Sequence, residues 1–166
     1  MTNKTIPSII VLLVVLCSCK AHKNLNVSAG FGNLKSLEGD WEVDSQIKIA
    51  FEIFEDSDGD SEIKLLDDVV LLEKFEGYYH ESPWTMYTEY RVLENDSIVI
   101  TVDDRHRGDT TVFAGMFKAG LVSTYDLEGK QKMEIDFSQK QFTRKIYNKI
   151  FNGTWELEQH WVYSPD

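Results

Sequence analysis

Cysteine is nearly missing from this 166-residue chain: Cys17 and Cys19 are the two it has, both close to the N-terminus. Long hydrophobic runs are missing too, since the apolar stretch Ile9 to Leu16 supplies eight residues where a membrane-spanning helix needs about 20. Eight suits the roughly 7 to 15 residue apolar region of an export signal. Positive charge is scarce: 17 Lys plus Arg stand against 28 Asp plus Glu, a formal net charge of −11. That balance argues against nucleic acid as a partner and against direct docking on anionic headgroups, both of which demand basic patches. His80, His106 and His160 fall at no metal-ligand spacing, and no serine is framed by glycines as a nucleophile elbow requires. No catalytic constellation emerges, no cofactor is implied, and choosing an acid–base pair among so many carboxylates without geometry would be arbitrary.

What is present begins with Leu16-Cys17-Ser18-Cys19. A branched aliphatic three residues before Cys19, with small Ser18 just before it, resembles the lipobox of bacterial lipoproteins. The resemblance implies that residues 1 to 18 are removed as a signal peptide. It also implies that Cys19 becomes an acylated N-terminus, so that the folded part keeps no thiol. Each buried methylene of an anchor contributes about 0.8 kcal/mol, so one acyl chain holds reversibly and two or three hold durably. By the sorting rules of such lipoproteins, Lys20 in place of an aspartate implies the outer membrane. The basic run Lys20-Ala21-His22-Lys23, in place of an acidic export cluster, implies a periplasm-facing protein.

Residues 19 to 36 read as the lipidated cysteine and a flexible linker, because the stretch is small, polar and without period. From 37 to 166 the composition turns to aromatics and β-branched residues with a period of two. Met133, Ile135 and Phe137 alternate with Lys132, Glu134 and Asp136, and Ile98, Ile100 and Val102 repeat the pattern. Turn clusters recur at Asp58-Gly59, Glu94-Asn95-Asp96, Arg107-Gly108-Asp109, Lys118-Ala119-Gly120, Glu128-Gly129-Lys130 and Asn152-Gly153. The spacing predicts strands near 40 to 55 (bent about Asp44 to Gln46), 84 to 93, 97 to 103, 110 to 117, 120 to 127, 130 to 137, 141 to 151 and 154 to 163. Residues 61 to 76 fit a strand bulged at Asp67-Asp68 or, with Leu65, Val69 and Leu72 at helical offsets, a helix. Short links permit only antiparallel neighbours. A meander of this kind hides its edges by closing, so the expected fold is all-β, a small antiparallel up-and-down barrel.

Within the first strand, Gly39-Asp40-Trp41 resembles the opening Gly-x-Trp of lipocalins and of lipocalin-like lipoproteins of the Bacteroidetes type. The resemblance implies a barrel closed at one end by a tryptophan, with an arginine from a late strand packed over it, and open at the other end to a small apolar ligand. The residues suggest that arginine independently. If Asn152-Gly153 makes a two-residue hairpin, opposed residue numbers sum to about 305 and Arg144 faces Trp161. An even number of strands brings Trp41 to the same end, giving a barrel-closing cluster of Trp41, Arg144 and Trp161.

Phe51, Tyr90, Phe117, Phe142 and Trp155 are the candidates to line a ligand site, or else to fill the barrel. Asp56, Asp58 and Asp60 alternate as calcium ligands do, yet a calcium loop wants glycine sixth and glutamate twelfth, where Ser61 and Asp67 stand. An acidic hairpin tip explains them equally well. The sequence thus predicts a membrane-anchored, non-enzymatic barrel that binds a small apolar ligand, with an envelope scaffold or an inhibitor of a protein partner as the alternative. An enclosed apolar cavity of several hundred cubic ångströms separates the first from the second.

Overall fold

Burial alternates along nearly every strand, and that alternation is what lets the chain roll up. The protein is described from a computed structural model covering residues 34–49, 53–67, 69–79, 81–118, 120–136 and 141–166. The strands are β1 (Gly39–Ile49), β2 (Ile53–Asp67), β3 (Val70–Tyr79), β4 (Ser82–Val92), β5 (Ser97–Asp104), β6 (Asp109–Lys118), β7 (Leu121–Asp126), β8 (Gln131–Asp136), β9 (Phe142–Lys149) and β10 (Trp155–Pro165). Each pairs antiparallel with its neighbours in sequence, and β10 returns to β1, closing an up-and-down barrel of ten strands. Lipocalin barrels have eight.

The N-terminal side corrects the sequence reading most. The expected single strand over 40 to 55 is two strands, β1 and the first part of β2. Asp58-Gly59 is not a turn but the middle of β2, where Gly59 lies opposite Val43 on one side and Gly77 on the other. The glycines serve packing rather than bending: a Cβ on Gly59 would stand 2.6 Å from the Phe75 ring, and one on Gly77 2.5 Å. Residues 61 to 76 are neither a helix nor one bulged strand. They are the end of β2 and most of β3, which pair antiparallel up to Asp67 opposite Val70, with the ladder irregular between Leu65 and Asp67; Asp68 lies outside the described residues.

The two rims differ. At the rim where β1 begins and β10 ends, a short 3-10 turn (Lys35–Leu37) precedes β1, and Leu34 and Leu37 are buried in the core. Trp41 fastens that turn by donating its Nε1–H to the Leu37 carbonyl at 2.8 Å. Leu34 falls inside the stretch expected to be linker, so ordered structure starts before residue 37. The other rim carries the β5–β6, β7–β8 and β9–β10 turns, with Gly108, Gly129 and Gly153 at positive φ.

Candidate functional site

The strongest departure from simple alternation lies on the dry face of the barrel, where two opposite charges are fully enclosed. On β3, Leu71, Glu73 and Phe75 point inward together, and on β9, Phe142, Arg144 and Ile146 do. Ionised groups in such a place cost several kcal/mol each unless they are paired and hydrogen-bonded. Arg144 Nη1 donates to Glu73 Oε2 at 3.0 Å and to Thr88 Oγ1 at 3.2 Å. The remaining acceptor capacity of Glu73 is used by hydroxyls: Ser61 at 3.0 Å and Tyr163 at 2.7 Å on Oε1, and Tyr90 on Oε2. The guanidinium also lies 4.5 Å over the Trp161 ring and 5.5 Å from that of Tyr163. Burial alone would make Arg144 easier to deprotonate, but the Glu73 carboxylate, helped by a hydrogen bond from Arg144 to the Tyr90 hydroxyl, holds the guanidinium charged. Burial, then the Glu73 charge, pushes the Tyr90 phenol well above its usual range, and burial does the same for Tyr163, so both remain donors to Glu73.

The network leaves one edge of Arg144 unused. Its Nε and Nη2 are buried without a hydrogen-bond partner among the described residues. Arg144 also lines an interior cavity of about 70 Å³ that runs toward the rim of the β5–β6 turn, between Met86, Val102, Phe113, Ile146 and Gln159. Trp84, Asp104, Arg107, Asp109 and Gln131 border it further out. Asp104 Oδ1 accepts from Trp84 Nε1 at 3.0 Å and from the backbone N–H groups of His106 and Arg107, which fixes the β5–β6 turn over the mouth. His106 is exposed in that turn, edge-on to Tyr79. Outside this mouth a wider, open groove of about 810 Å³ runs between the β7–β8 and β9–β10 turns, lined by Gln131, Asn148, Ile150, Phe151 and Glu156 among others. Gln131 belongs to both spaces.

The residues singled out from sequence are distributed unevenly around this site. Arg144 and Trp161 do lie opposite one another, but the connection differs from the expected two-residue hairpin. The Ile150 N–H bonds the Thr154 carbonyl, leaving a three-residue loop closed by Gly153 at φ +83°, and a bulge between Leu157 and Gln159 then restores the register. That bulge swaps faces, so Trp155 and Trp161 do not share one. Trp155 opposes Lys149 and meets Tyr125, Lys132 and Lys149, so it lies on the outer surface and lines no interior site. Trp41 joins the cluster indirectly, edge-on to Phe142 at 4.9 Å, while Phe142 stacks on Tyr163. Ser45, not Trp41, is the β1 residue beside Trp161. Tyr90, Phe117 and Phe142 are buried as core filling, and the interior cavity is lined by other residues.

Asp56, Asp58 and Asp60 are exposed on one face of β2, opposite Gln46, Asp44 and Glu42. Alternate positions on an extended strand stand about 6.5 to 7 Å apart, which fans carboxylates out instead of gathering them round an ion. No cluster able to hold a metal occurs among the described residues. Phe51, His80 and Cys19 lie outside the described residues. Glu73, Thr88, Ser61 and Tyr163 were not anticipated from the sequence. The signal for Glu73 was a charge at an inward position between Leu71 and Phe75, readable only with the strand boundaries in hand.

No protein-family model matches the chain, and no curated protein matches it significantly. Solved structures do resemble it. Rv2717c from M. tuberculosis superposes with a TM-score of 0.65 at 9% identity, covering 84% of this chain and 98% of its own. The barrel EF1p2_mFAP2b, solved bound to DFHBI, gives a TM-score of 0.51 at 12% identity, covering 81% of this chain and 97% of its own. At such identities the likeness is one of fold: a closed β-barrel.

Proposed function

We propose that this protein is a lipid-anchored envelope barrel that holds a small ligand at its open rim, beside Arg144. The observation that carries the binding half is a buried arginine with two spare donors on a cavity leading outward. Buried donors without partners are rare in folded proteins, and each asks for an acceptor to be supplied. The same geometry favours a polar group inside over the large apolar ligand that the lipocalin resemblance implies. Bulky side chains such as Trp161, Phe75, Phe113 and Phe142 occupy the volume that an apolar ligand of several hundred cubic ångströms would need. The barrel solved bound to DFHBI lends only the precedent that this architecture accommodates a small molecule. The reading is of a binding module, not an enzyme.

The anchoring half rests on Leu16-Cys17-Ser18-Cys19 and the apolar stretch before it. On this reading, with Lys20 and the basic run Lys20-Ala21-His22-Lys23 after Cys19, the mature protein works at the outer membrane on its periplasmic side. Radiolabelled palmitate is expected on the wild type and absent from Cys19→Ser; label persisting on the variant refutes the anchor. For the ligand, native mass spectrometry of the protein extracted from its own membranes is expected to show a retained small mass that Arg144→Ala loses. A bare polypeptide mass under gentle conditions goes against binding.

A protein partner is the second reading, favoured by Phe151, fully exposed at the β9–β10 turn, and by Leu127, 79% exposed at the adjacent β7–β8 turn. Phe151→Ser leaves stability within about 0.5 kcal/mol, as surface changes do, and on this reading abolishes co-purification of the partner.

A further inference from the structure

The unused edge of Arg144 has a definite chemistry. Nη1 is committed to Glu73 and Thr88 on one side of the guanidinium. The two groups without a partner, Nε and Nη2, are adjacent and project their N–H bonds in parallel, forming the side-on fork of an arginine. Such a fork matches two oxygens on one planar carbon and binds them bidentately. Trp161 beneath the guanidinium and Glu73 at its far edge fix the fork, so no rotamer freedom is lost when it is filled. The cavity of about 70 Å³ has room for roughly five water molecules. That accommodates a compact group of four or five non-hydrogen atoms and excludes a ring system.

Resting on the ligand-binding reading above, we infer that the ligand presents a carboxylate to this fork, held by Arg144 Nε and Nη2 inside the barrel. Charge sets the strength. Glu73 already balances Arg144, and at the rim Arg107 stands 3.7 Å from Asp104 while Asp109 is exposed. The anion therefore gains bidentate hydrogen bonds but little net Coulomb attraction, and a bare carboxylate, with few atoms to offset the cost of association, binds weakly, with a Kd on the order of millimolar. Tighter binding requires the rest of the ligand to leave through the mouth past Gln131 and meet the outer groove, where Ile150 and Phe151 supply apolar surface.

The test is an NMR titration of the full-length protein in detergent, following the Arg144 Nε–H resonance as acetate or the isosteric acetamide is added. Acetate is expected to shift that resonance saturably at millimolar concentration, with acetamide at least tenfold weaker. Arg144→Lys, which keeps the charge facing Glu73 but has no fork, is expected to weaken acetate at least tenfold, read from Trp84 and Trp161 fluorescence. An unmoved resonance at 100 mM acetate overturns the assignment and leaves the fork to water. Equal response to acetamide also overturns it, and neither result depends on the variant folding. A small mass retained in native spectra whose accurate mass and fragmentation show no carboxyl group refutes the carboxylate while the ligand-binding reading stands; no retained mass and no acetate response refute both.

Discussion

Arg144 and Glu73 are 71 residues apart along the chain and 3.0 Å apart in space, each with 1% or less of its side chain exposed. The pair ties β9 to β3 across the inside of the barrel. Removing one partner strands the other charge in a dry interior, which typically costs about 3 to 5 kcal/mol. Glu73→Ala is therefore expected to destabilise by that amount in urea denaturation. Replacing both residues by Met is expected to cost clearly less than the sum of the single changes, because no lone charge remains. Strict additivity would show that the pair is not coupled.

Trp161 supports the same arginine from below and donates its Nε1–H to Gln159 at 3.0 Å. Trp161→Phe weakens the cation–π attraction, worth about 0.5 to 2 kcal/mol, and deletes a hydrogen bond worth about 1 kcal/mol. A loss of about 1 to 3 kcal/mol is expected from the shift in denaturation midpoint, with Gln159 left short of a partner.

Much of this architecture was legible from the sequence because alternation survives wherever one strand face is wet. The strands from Ser97 to Asp136 follow the pattern closely, with Ile98, Ile100, Val122, Met133 and Ile135 all buried. It failed where a residue type had two physical meanings. Gly59 reads as a turn, yet it is absent a side chain because Phe75 lies over it. Trp155 reads as core, yet one inserted residue in β10 sends it outside. Glu73 was invisible for a similar reason: a glutamate on a dry face is accepted only because Arg144, Ser61, Tyr90 and Tyr163 converge on it from four other strands. Long-range partners of that kind leave no local trace.

Gly115 on β6 offers a sharp stability test. A Cβ there would stand 2.1 Å from the Ser123 carbonyl oxygen and 2.6 Å from Thr124 Cα, both backbone atoms of β7. Gly115→Ala must push two paired strands apart, and a loss of at least about 2 kcal/mol is expected, in the range of overpacking. Gly108→Ala is the comparison: nothing lies within 4 Å, and the cost is the strain of φ +74°, about 1 to 2 kcal/mol. Thermal unfolding of both variants measures the difference.

Glu158, at the β10 bulge, gives a pH dependence. Burial pushes its carboxyl above the ordinary 4.5, with Arg107 and a hydrogen bond from Asn148 pulling the other way. A folded-state value above the unfolded one means the group favours folding below the unfolded value, and that contribution is lost as pH rises through the folded value. Acidification from neutrality toward pH 4.5 is thus expected to recover stability from this site. Glu158→Gln should raise Tm at pH 7 and lose its advantage near pH 4.5; a constant difference at both pH values contradicts the assignment.

An even count of antiparallel strands returns the chain to the side it started from. Whatever precedes Leu34 is joined to the capped rim, and the Arg144 cavity opens through the opposite one. On the proposed lipid anchor, the point of attachment is at that first rim, at the far end of the barrel from the mouth of the cavity. Under that proposal a solute enters the cavity from the aqueous side, without crossing lipid.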